Sequence, residues 1–139
     1  MKFRSIICLG LMMLLAVSTN VFGQTDFDAF WKNFKASVIK KDKNAVAALV
    51  KFPFSMPYGY KEVKTRAAFI KNYEKIFSGE ADAVKCFPEA EIIKDDAKTY
   101  SVYCGFKETP ADTENTPLKY RFELTKTGWK FVGFDNINE

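Results

Sequence analysis

Residues 118–134 read LKYRFELTKTGWKFVGF, and this stretch decides the fold class. Apolar and charged side chains alternate over residues 118–124, which is the period-two pattern of a strand with one buried face. Turn residues at 126–128 end that strand, and a second alternation follows them. In this second strand we expect Trp129, Phe131 and Gly133 on one face and Val132 and Phe134 on the other. The stretch therefore predicts a β-hairpin.

Two more strands are predicted before this hairpin. Residues 100–106 alternate in the same way, and the acidic pair 95–96 before them predicts a turn. Residues 84–93 complete the set as a strand, in which Pro88 implies an edge position or a bulge because proline cannot donate to a neighbouring strand. The polar stretch 108–117, with two prolines, is expected to be a loop. Four consecutive strands joined in this way make an antiparallel meander.

The N-terminal half has helical periodicity instead. A first helix starts near Thr25, a second is capped by Asp42 and ended by Pro53, and a third runs from Thr65 to Gly79. Their apolar stripes recur at spacings of three and four: Phe27, Phe30, Trp31, Phe34 and Val38, then Ala45, Val46, Leu49 and Val50, then Phe69, Ile70, Tyr73, Ile76 and Phe77. Residues 54–64 suit a short, irregular β-hairpin. Each element has one apolar side to bury, so the prediction is an α+β domain with three N-terminal helices packed on a curved antiparallel β-sheet.

Residues 1–23 are predicted to be a secretory signal peptide that precedes this domain. Lys2 and Arg4 give a positive start, residues 6–17 are almost entirely apolar, and Gly23 supplies a small residue at the cleavage position. A membrane anchor is the alternative, but about 12 apolar residues are too few, since a spanning helix needs about 20. We therefore expect an exported protein, periplasmic or extracellular, whose single domain is residues 24–139, with no stable membrane insertion.

Composition excludes several classes of function. The chain has no histidine, which excludes a Ser-His-Asp relay, a Cys-His relay and a histidine-bearing zinc site. Without Lys2 and Arg4 the domain has 19 basic and 17 acidic residues, a net charge of +2, and the two signs are mixed along the chain. Nucleic-acid binding would need a clustered and larger basic excess. We expect no metal, no cofactor and no nucleic-acid partner.

Two cysteines remain in the exported domain, Cys86 and Cys104. In an oxidising compartment such a pair in a small domain is more often a disulfide than two free thiols. If residue 95 is at the centre of a hairpin turn, residues 86 and 104 face one another, with Cβ atoms about 4.5–5.5 Å apart. The prediction is a Cys86–Cys104 disulfide, and two separately buried thiols are the alternative.

The element order (helix, helix, short hairpin, helix, long strands) resembles the nuclear transport factor 2-like superfamily, a cone-shaped, cystatin-like α+β fold with steroid-isomerase-like members. The segments DKNAVAALVKFPF at 42–54 and FIKNYEKIF at 69–77 look like those of small exported bacterial members of uncharacterised function. The resemblance covers residues 25–137, approximately. It implies a sheet that curls around the helices and leaves a pocket at the open end of the cone. One fold supports many functions, so the resemblance leaves the chemistry open.

The implied pocket would be apolar and ring-lined, with phenolic hydroxyls as its few polar groups. The resemblance places the following residues there: Phe54, Met56, Tyr58, Tyr60, Tyr73, Tyr103, Tyr120 and Trp129. Such a lining suits a small, flat or apolar ligand more than a sugar phosphate. The alternative is that these rings simply fill the cone as core.

Three functions are consistent with these observations. The first is an exported, non-catalytic domain that binds a small apolar ligand or serves as an accessory domain. The second is a structural or interaction module that forms a homodimer through its sheet. The third is an isomerase-like enzyme that uses only carboxylates and tyrosines, which would require a desolvated acid near a phenol. Glu123 alternates with Tyr120 and Phe122 and so faces away from them, and we expect the acids of the domain on its solvated surface; we assign no catalytic residue.

Overall fold

The computed structural model describes residues 24–56 and 62–138. The predicted signal peptide, residues 1–23, lies outside the described residues. Within the described ranges, no helix has both the length and the apolar character needed to cross a membrane.

Three helices form the first part of the domain. They are α1 (Gln24–Ile39), α2 (Lys43–Ala48) and α3 (Arg66–Lys71). The two predicted capping residues are confirmed. The Asp42 carboxylate accepts a hydrogen bond of 3.0 Å from the backbone N–H three residues later, and the Thr65 hydroxyl accepts one of 3.1 Å in the same way. These bonds satisfy amides that have no partner inside the helix.

The sheet has five strands in the order β1-β5-β4-β3-β2. The strands are β1 (Val50–Ser55), β2 (Ile92–Asp96), β3 (Thr99–Cys104), β4 (Leu118–Thr125) and β5 (Gly128–Asn136). β2 to β5 form the predicted antiparallel meander, whereas β1 pairs parallel to β5 and was not predicted. Helices packed on this sheet confirm the predicted α+β class.

The predicted second helix is too long, because α2 stops at Ala48 and the chain enters β1 at Val50. Pro53 therefore lies inside a strand instead of ending a helix. β1 is at the edge of the sheet, where a residue without an N–H is tolerated. Of the predicted hairpin at 54–64, Phe54 and Val63 pair through two backbone hydrogen bonds of 2.8 and 3.0 Å. Residues 57–61 are outside the described ranges.

The predicted third helix is interrupted. The Asn72 side chain donates to the Ala68 carbonyl at 2.8 Å at the end of α3. The chain then continues as a separate π-helical turn, Lys75–Gly79. Its Ile76 and Phe77 side chains are buried, as the apolar stripe predicted.

The prediction of a strand over residues 84–93 is wrong for most of its length. Ala83–Cys86 form a short helix, α4, because the Asp82 carboxylate accepts from the backbone N–H three residues later at 3.3 Å. β2 begins only at Ile92 and includes the acidic pair 95–96, which was predicted as the turn. The turn comes at residues 97–98, where the Asp96 carboxylate accepts from the Lys98 N–H at 2.7 Å.

A β-bulge in β5 changes which side chains face the helices. Val132 is the extra residue, lying between two successive cross-strand pairs. Beyond it Phe134, and not Gly133, faces the interior, opposite Tyr120 with ring centroids 4.9 Å apart. Gly133 lies opposite Arg121 on the outer face of the sheet, which is the face away from the helices. The expected faces of Gly133 and Phe134 are therefore exchanged.

The predicted Cys86–Cys104 disulfide is present, with Cα atoms 6.0 Å apart. The predicted route to it is wrong, because Ile93, and not residue 89, lies opposite Ser101 across β2 and β3. Cys86 is instead the last residue of α4, and Cys104 is the last residue of β3. The bond therefore fastens α4 to the sheet.

The interior between helices and sheet is packed with rings. The largest fully buried side chains are Tyr73, Tyr100, Tyr120, Phe27, Phe34, Phe54, Phe69, Phe77, Phe87, Phe122, Phe131 and Ile76. Phe34 of α1 lies at the centre, with its ring centroid 5.1 Å from those of both Phe122 and Phe131. Edge-to-face and tilted geometries of this kind are the preferred ones for aromatic pairs.

Candidate functional site

Besides Tyr73, which is described below, three of the predicted pocket residues lie within the packed interior. Phe54 is fully buried, and its ring centroid is 4.7 Å from that of Phe131. The buried Tyr120 hydroxyl donates a hydrogen bond of 2.9 Å to the Ile76 carbonyl, and burial raises the pKa of this phenol. Trp129 is also buried, and its indole N–H has no acceptor in the described part of the chain. These three side chains contribute to the core.

Tyr103 and Met56 lie apart from that group. Tyr103 is on the outer face of the sheet, half-buried, with the Lys119 Nζ atom 5.6 Å from its ring centroid. Met56 is half-buried against the core at the end of β1. Tyr58 and Tyr60 fall outside the described residues. Among the predicted positions that are described, the structure does not bring all the side chains to one place.

Like the Trp129 indole N–H, the Tyr73 hydroxyl is buried without a hydrogen-bond partner in the described part of the chain. The side chain is 1% exposed, and its ring centroid lies 4.7 Å from that of Phe77, at the edge of the ring cluster. Among residues 24–56 and 62–138 the hydroxyl has no hydrogen-bond partner. Burial, followed by the negative charges of Glu74 and Asp42, raises the pKa of this phenol to about 12. Leaving such a group unpaired costs about 1–3 kcal/mol.

An ion pair lies next to Tyr73. The Lys43 Nζ atom is 3.0 Å from the Glu74 Oε1 atom and 5.4 Å from the Tyr73 ring centroid. The hydrogen bond to Lys43 holds the pKa of Glu74 below its usual value, and the charge of Lys41 contributes in the same direction. We call Tyr73, Lys43, Glu74 and Asp42 the Tyr73 site.

The sequence resemblance pointed to Tyr73 but to neither member of the ion pair beside it. Lys43 opens α2 and Glu74 follows α3, so the two are distant in sequence and meet only because these helices pack together. No periodicity or motif in the sequence pairs them.

Residues 24–56 and 62–138 offer no desolvated acid of the kind that the isomerase-like function requires. The buried polar or charged residues in the described ranges are Ser37, Ser101 and Asn136, and none of these is a carboxylic acid. Glu74 and Asp135 are exposed, and Glu123 is half-buried on the outer face. A general base in an apolar surround is therefore not found in the described part of the chain.

The outer face of the sheet carries charged side chains of both signs, which pair with one another. The Asp95 carboxylate accepts a hydrogen bond from the Ser101 hydroxyl and lies 3.9 Å from the Lys119 Nζ atom. On β4, Arg121 Nε lies 3.7 Å from Glu123 Oε1. Side chains of opposite sign thus alternate across this face.

A groove of about 380 Å³ runs over the Cys86–Cys104 disulfide, between α4 and the loop at 105–117. Tyr103 forms part of its wall, together with the ring of Phe106. Its acids and bases are mostly engaged with neighbours: Lys85 pairs with Asp82 at 3.4 Å, and the Lys107 ammonium donates to the Ser78 carbonyl at 2.8 Å. The groove is open to solvent, and the surface that lines it is more apolar than polar.

The chain is similar in fold to several solved structures. A ketosteroid isomerase-like protein from Erwinia carotovora atroseptica is 13% identical, with 80% of this chain and 92% of that chain covered and a TM-score of 0.46. A cystatin-like domain of unknown function from Nostoc punctiforme is 13% identical, with coverage of 87% and 80% and a TM-score of 0.46. A nuclear transport factor 2-like protein with a cystatin-like fold from Novosphingobium aromaticivorans is also 13% identical, with coverage of 82% and 80% and a TM-score of 0.42.

Two of these proteins are described as having a cystatin-like fold, and one of them as nuclear transport factor 2-like. Comparison with protein-family models gave no match. Comparison with curated proteins gave no significant match.

Proposed function

We propose that this protein is an exported, non-catalytic domain that binds a small ligand with an apolar body at the Tyr73 site. The observation that carries the proposal is the buried Tyr73 hydroxyl, which has no partner in the described part of the chain. Buried polar groups in native proteins nearly always have a hydrogen-bond partner. A bound molecule with an acceptor atom supplies that partner.

The surroundings of Tyr73 support an apolar body for the ligand. The phenol rests on the Phe77 ring and belongs to the same cluster of side chains as Phe69 and Ile76. Ligand sites of this type combine an apolar lining with a few polar groups that fix orientation. Because the centre of the interior is packed, we place the ligand at the edge of the ring cluster. Met56, Tyr58 and Tyr60 are proposed to complete the lining.

Native mass spectrometry of protein purified from its own periplasm or medium tests this function. We expect a co-purified molecule on the wild-type protein and its loss from Tyr73→Phe, which removes only the hydroxyl. Tyr103→Phe, on the outer face, is the matched control and should retain the molecule. Tyr58→Ala and Tyr60→Ala should weaken binding of the molecule, or of a hydrophobic dye, without changing the melting temperature. Wild-type protein that carries no molecule and binds no dye would contradict the proposal.

Self-association through the outer face of the sheet is a second candidate function. The packed interior and the alternating charges of Asp95, Lys119, Arg121 and Glu123 favour it. A two-fold interface places the same patch on both subunits, so a face that carries both signs in adjacent rows is suited to pair with itself. Light scattering after size-exclusion chromatography should then give twice the monomer mass, and Arg121→Glu should return it to the monomer mass.

Export itself rests on the sequence of residues 1–23, with its basic start and short apolar run. N-terminal sequencing of the protein from cells should find a start within a few residues of Gln24. Full-length protein retained in the cytoplasm would contradict export without affecting the binding site.

A further inference from the structure

Resting on the proposed function, we infer that the ligand of the Tyr73 site carries a carboxylate, which Lys43 and Tyr73 bind together in place of the Glu74 side chain. The site already holds a carboxylate of its own, since Glu74 accepts from the Lys43 ammonium at 3.0 Å. This internal pair shows that the ammonium binds a carboxylate at this position.

The internal pair satisfies Lys43 but leaves the neighbouring phenol unsatisfied. The ammonium lies 5.4 Å from the Tyr73 ring centroid, and the phenol finds no acceptor among the described residues. A carboxylate has two oxygens and several lone pairs, so one head group can accept from a lysine and a tyrosine at the same time. Hydrogen bonds to a charged acceptor are also the stronger ones, worth roughly twice a neutral bond.

The Glu74 side chain is a readily displaced occupant. The side chains of Lys43 and Glu74 are 39% and 59% exposed. Exposed pairs of this kind contribute little to stability because solvent screens their charges, so a ligand that also makes an apolar contact competes well. Lys41 lies close enough to act on the Glu74 carboxylate and adds a second positive charge. The Asp42 carboxylate accepts from the Ala45 N–H and keeps its negative charge, so the two lysines together balance Asp42 and Glu74.

Comparing a carboxylate probe with its uncharged amide tests this inference separately from the proposed function. 4-Phenylbutanoate and 4-phenylbutanamide have the same apolar body, and only the first is an anion. Titration of the full domain, followed by calorimetry and by protein NMR shifts, should show the acid binding at least tenfold more tightly than the amide. Lys43→Met keeps the apolar stem and should reduce the affinity for the acid to that for the amide. Glu74→Gln should increase the affinity for the acid several-fold, because it removes the carboxylate that competes for the Lys43 ammonium.

Lys85→Met is the matched control, since this lysine is 86% exposed and pairs with Asp82 away from the Tyr73 site. It should leave both affinities unchanged. Equal binding of acid and amide overturns the carboxylate class but leaves ligand binding intact. If neither probe binds, the carboxylate inference fails, and native mass spectrometry then decides the proposed function separately. An acid affinity unaffected by Lys43→Met also overturns the inference.

Discussion

The Tyr120 hydroxyl donates a hydrogen bond of 2.9 Å to the Ile76 carbonyl and so joins the centre of the sheet to the π-helical turn. Tyr120 lies on β4 between the rings of Phe77 and Phe134 and is fully buried. The predicted pocket left this hydroxyl free for a ligand. In the structure the hydroxyl instead bonds to the backbone and stabilises the fold. Tyr73, close by in the same interior, has the opposite status, because its hydroxyl has no partner in the described part of the chain.

Tyr120→Phe is expected to destabilise the domain. The substitution keeps the ring but leaves the Ile76 carbonyl without the phenol donor, which costs about 1–3 kcal/mol of unfolding free energy. Tyr73→Phe removes an unpartnered hydroxyl and should be neutral or stabilising in ligand-free protein. Denaturant unfolding of both variants and the wild type measures the difference. Equal losses for the two variants would mean that the Tyr73 hydroxyl has a partner after all.

Stability at high pH is expected to depend on Tyr73. The pKa of Tyr73 is about 12 in the folded domain, above its ordinary value of 10.0, because burial disfavours the phenolate. As the pH rises through 10, the unfolded chain loses this proton first, so the contribution of the neutral phenol is full below pH 10 and is lost as the pH approaches 12. Unfolding free energies measured over this range should fall more steeply for the wild type than for Tyr73→Phe. Parallel curves would contradict the assigned shift.

Truncation to alanine should cost different amounts of unfolding free energy at two neighbouring aromatic residues of α1. Phe34 is fully buried among other rings, and Phe34→Ala should cost about 3–5 kcal/mol of unfolding free energy. Phe30 packs against the core but remains half-buried, so Phe30→Ala should cost less, although the sequence stripe treats both positions alike. Thermal and denaturant unfolding of the two variants compares them directly, and a larger loss for Phe30→Ala would contradict this packing.

The disulfide predicts the thiol content of the mature protein. Denatured, unreduced protein should give no reactive thiol, because Cys86 and Cys104 are joined. Replacing both by serine opens a loop whose ends are 18 residues apart, and should cost on the order of 3 kcal/mol on a chain-entropy model. Two reactive thiols per mature chain would show that the bond does not form.

Sequence reasoning succeeded where periodicity and burial coincide. Phe27, Trp31, Phe34 and Val38 are all buried on α1, and the alternation over 118–124 corresponds to β4. It failed where one short-range interaction changes the local structure. The Asp82 cap turns the following residues into α4, and the bulge at Val132 exchanges the faces of the next two residues.

The candidate site could be predicted only in part, for the same reason. The resemblance placed Tyr73 in the implied pocket, whereas its place on an apolar stripe predicted a core residue. However, the pattern cannot tell a hydroxyl that finds an internal acceptor, as Tyr120 does, from one that does not. Lys43 and Glu74 carry no periodic signal at all, since they are surface charges on different segments.

The sequence alone determined the α+β class, the caps at Asp42 and Thr65, the strand patterns of β3 and β4 and the choice of disulfide partners. These depend on local propensity, on which side of an element is apolar, and on the number of cysteines. Only the tertiary structure decided the parallel pairing of β1 with β5, the route of the disulfide through α4, and the meeting of Lys43, Glu74 and Tyr73. Each of these joins segments that are distant in sequence, and the packing of the whole interior brings them together.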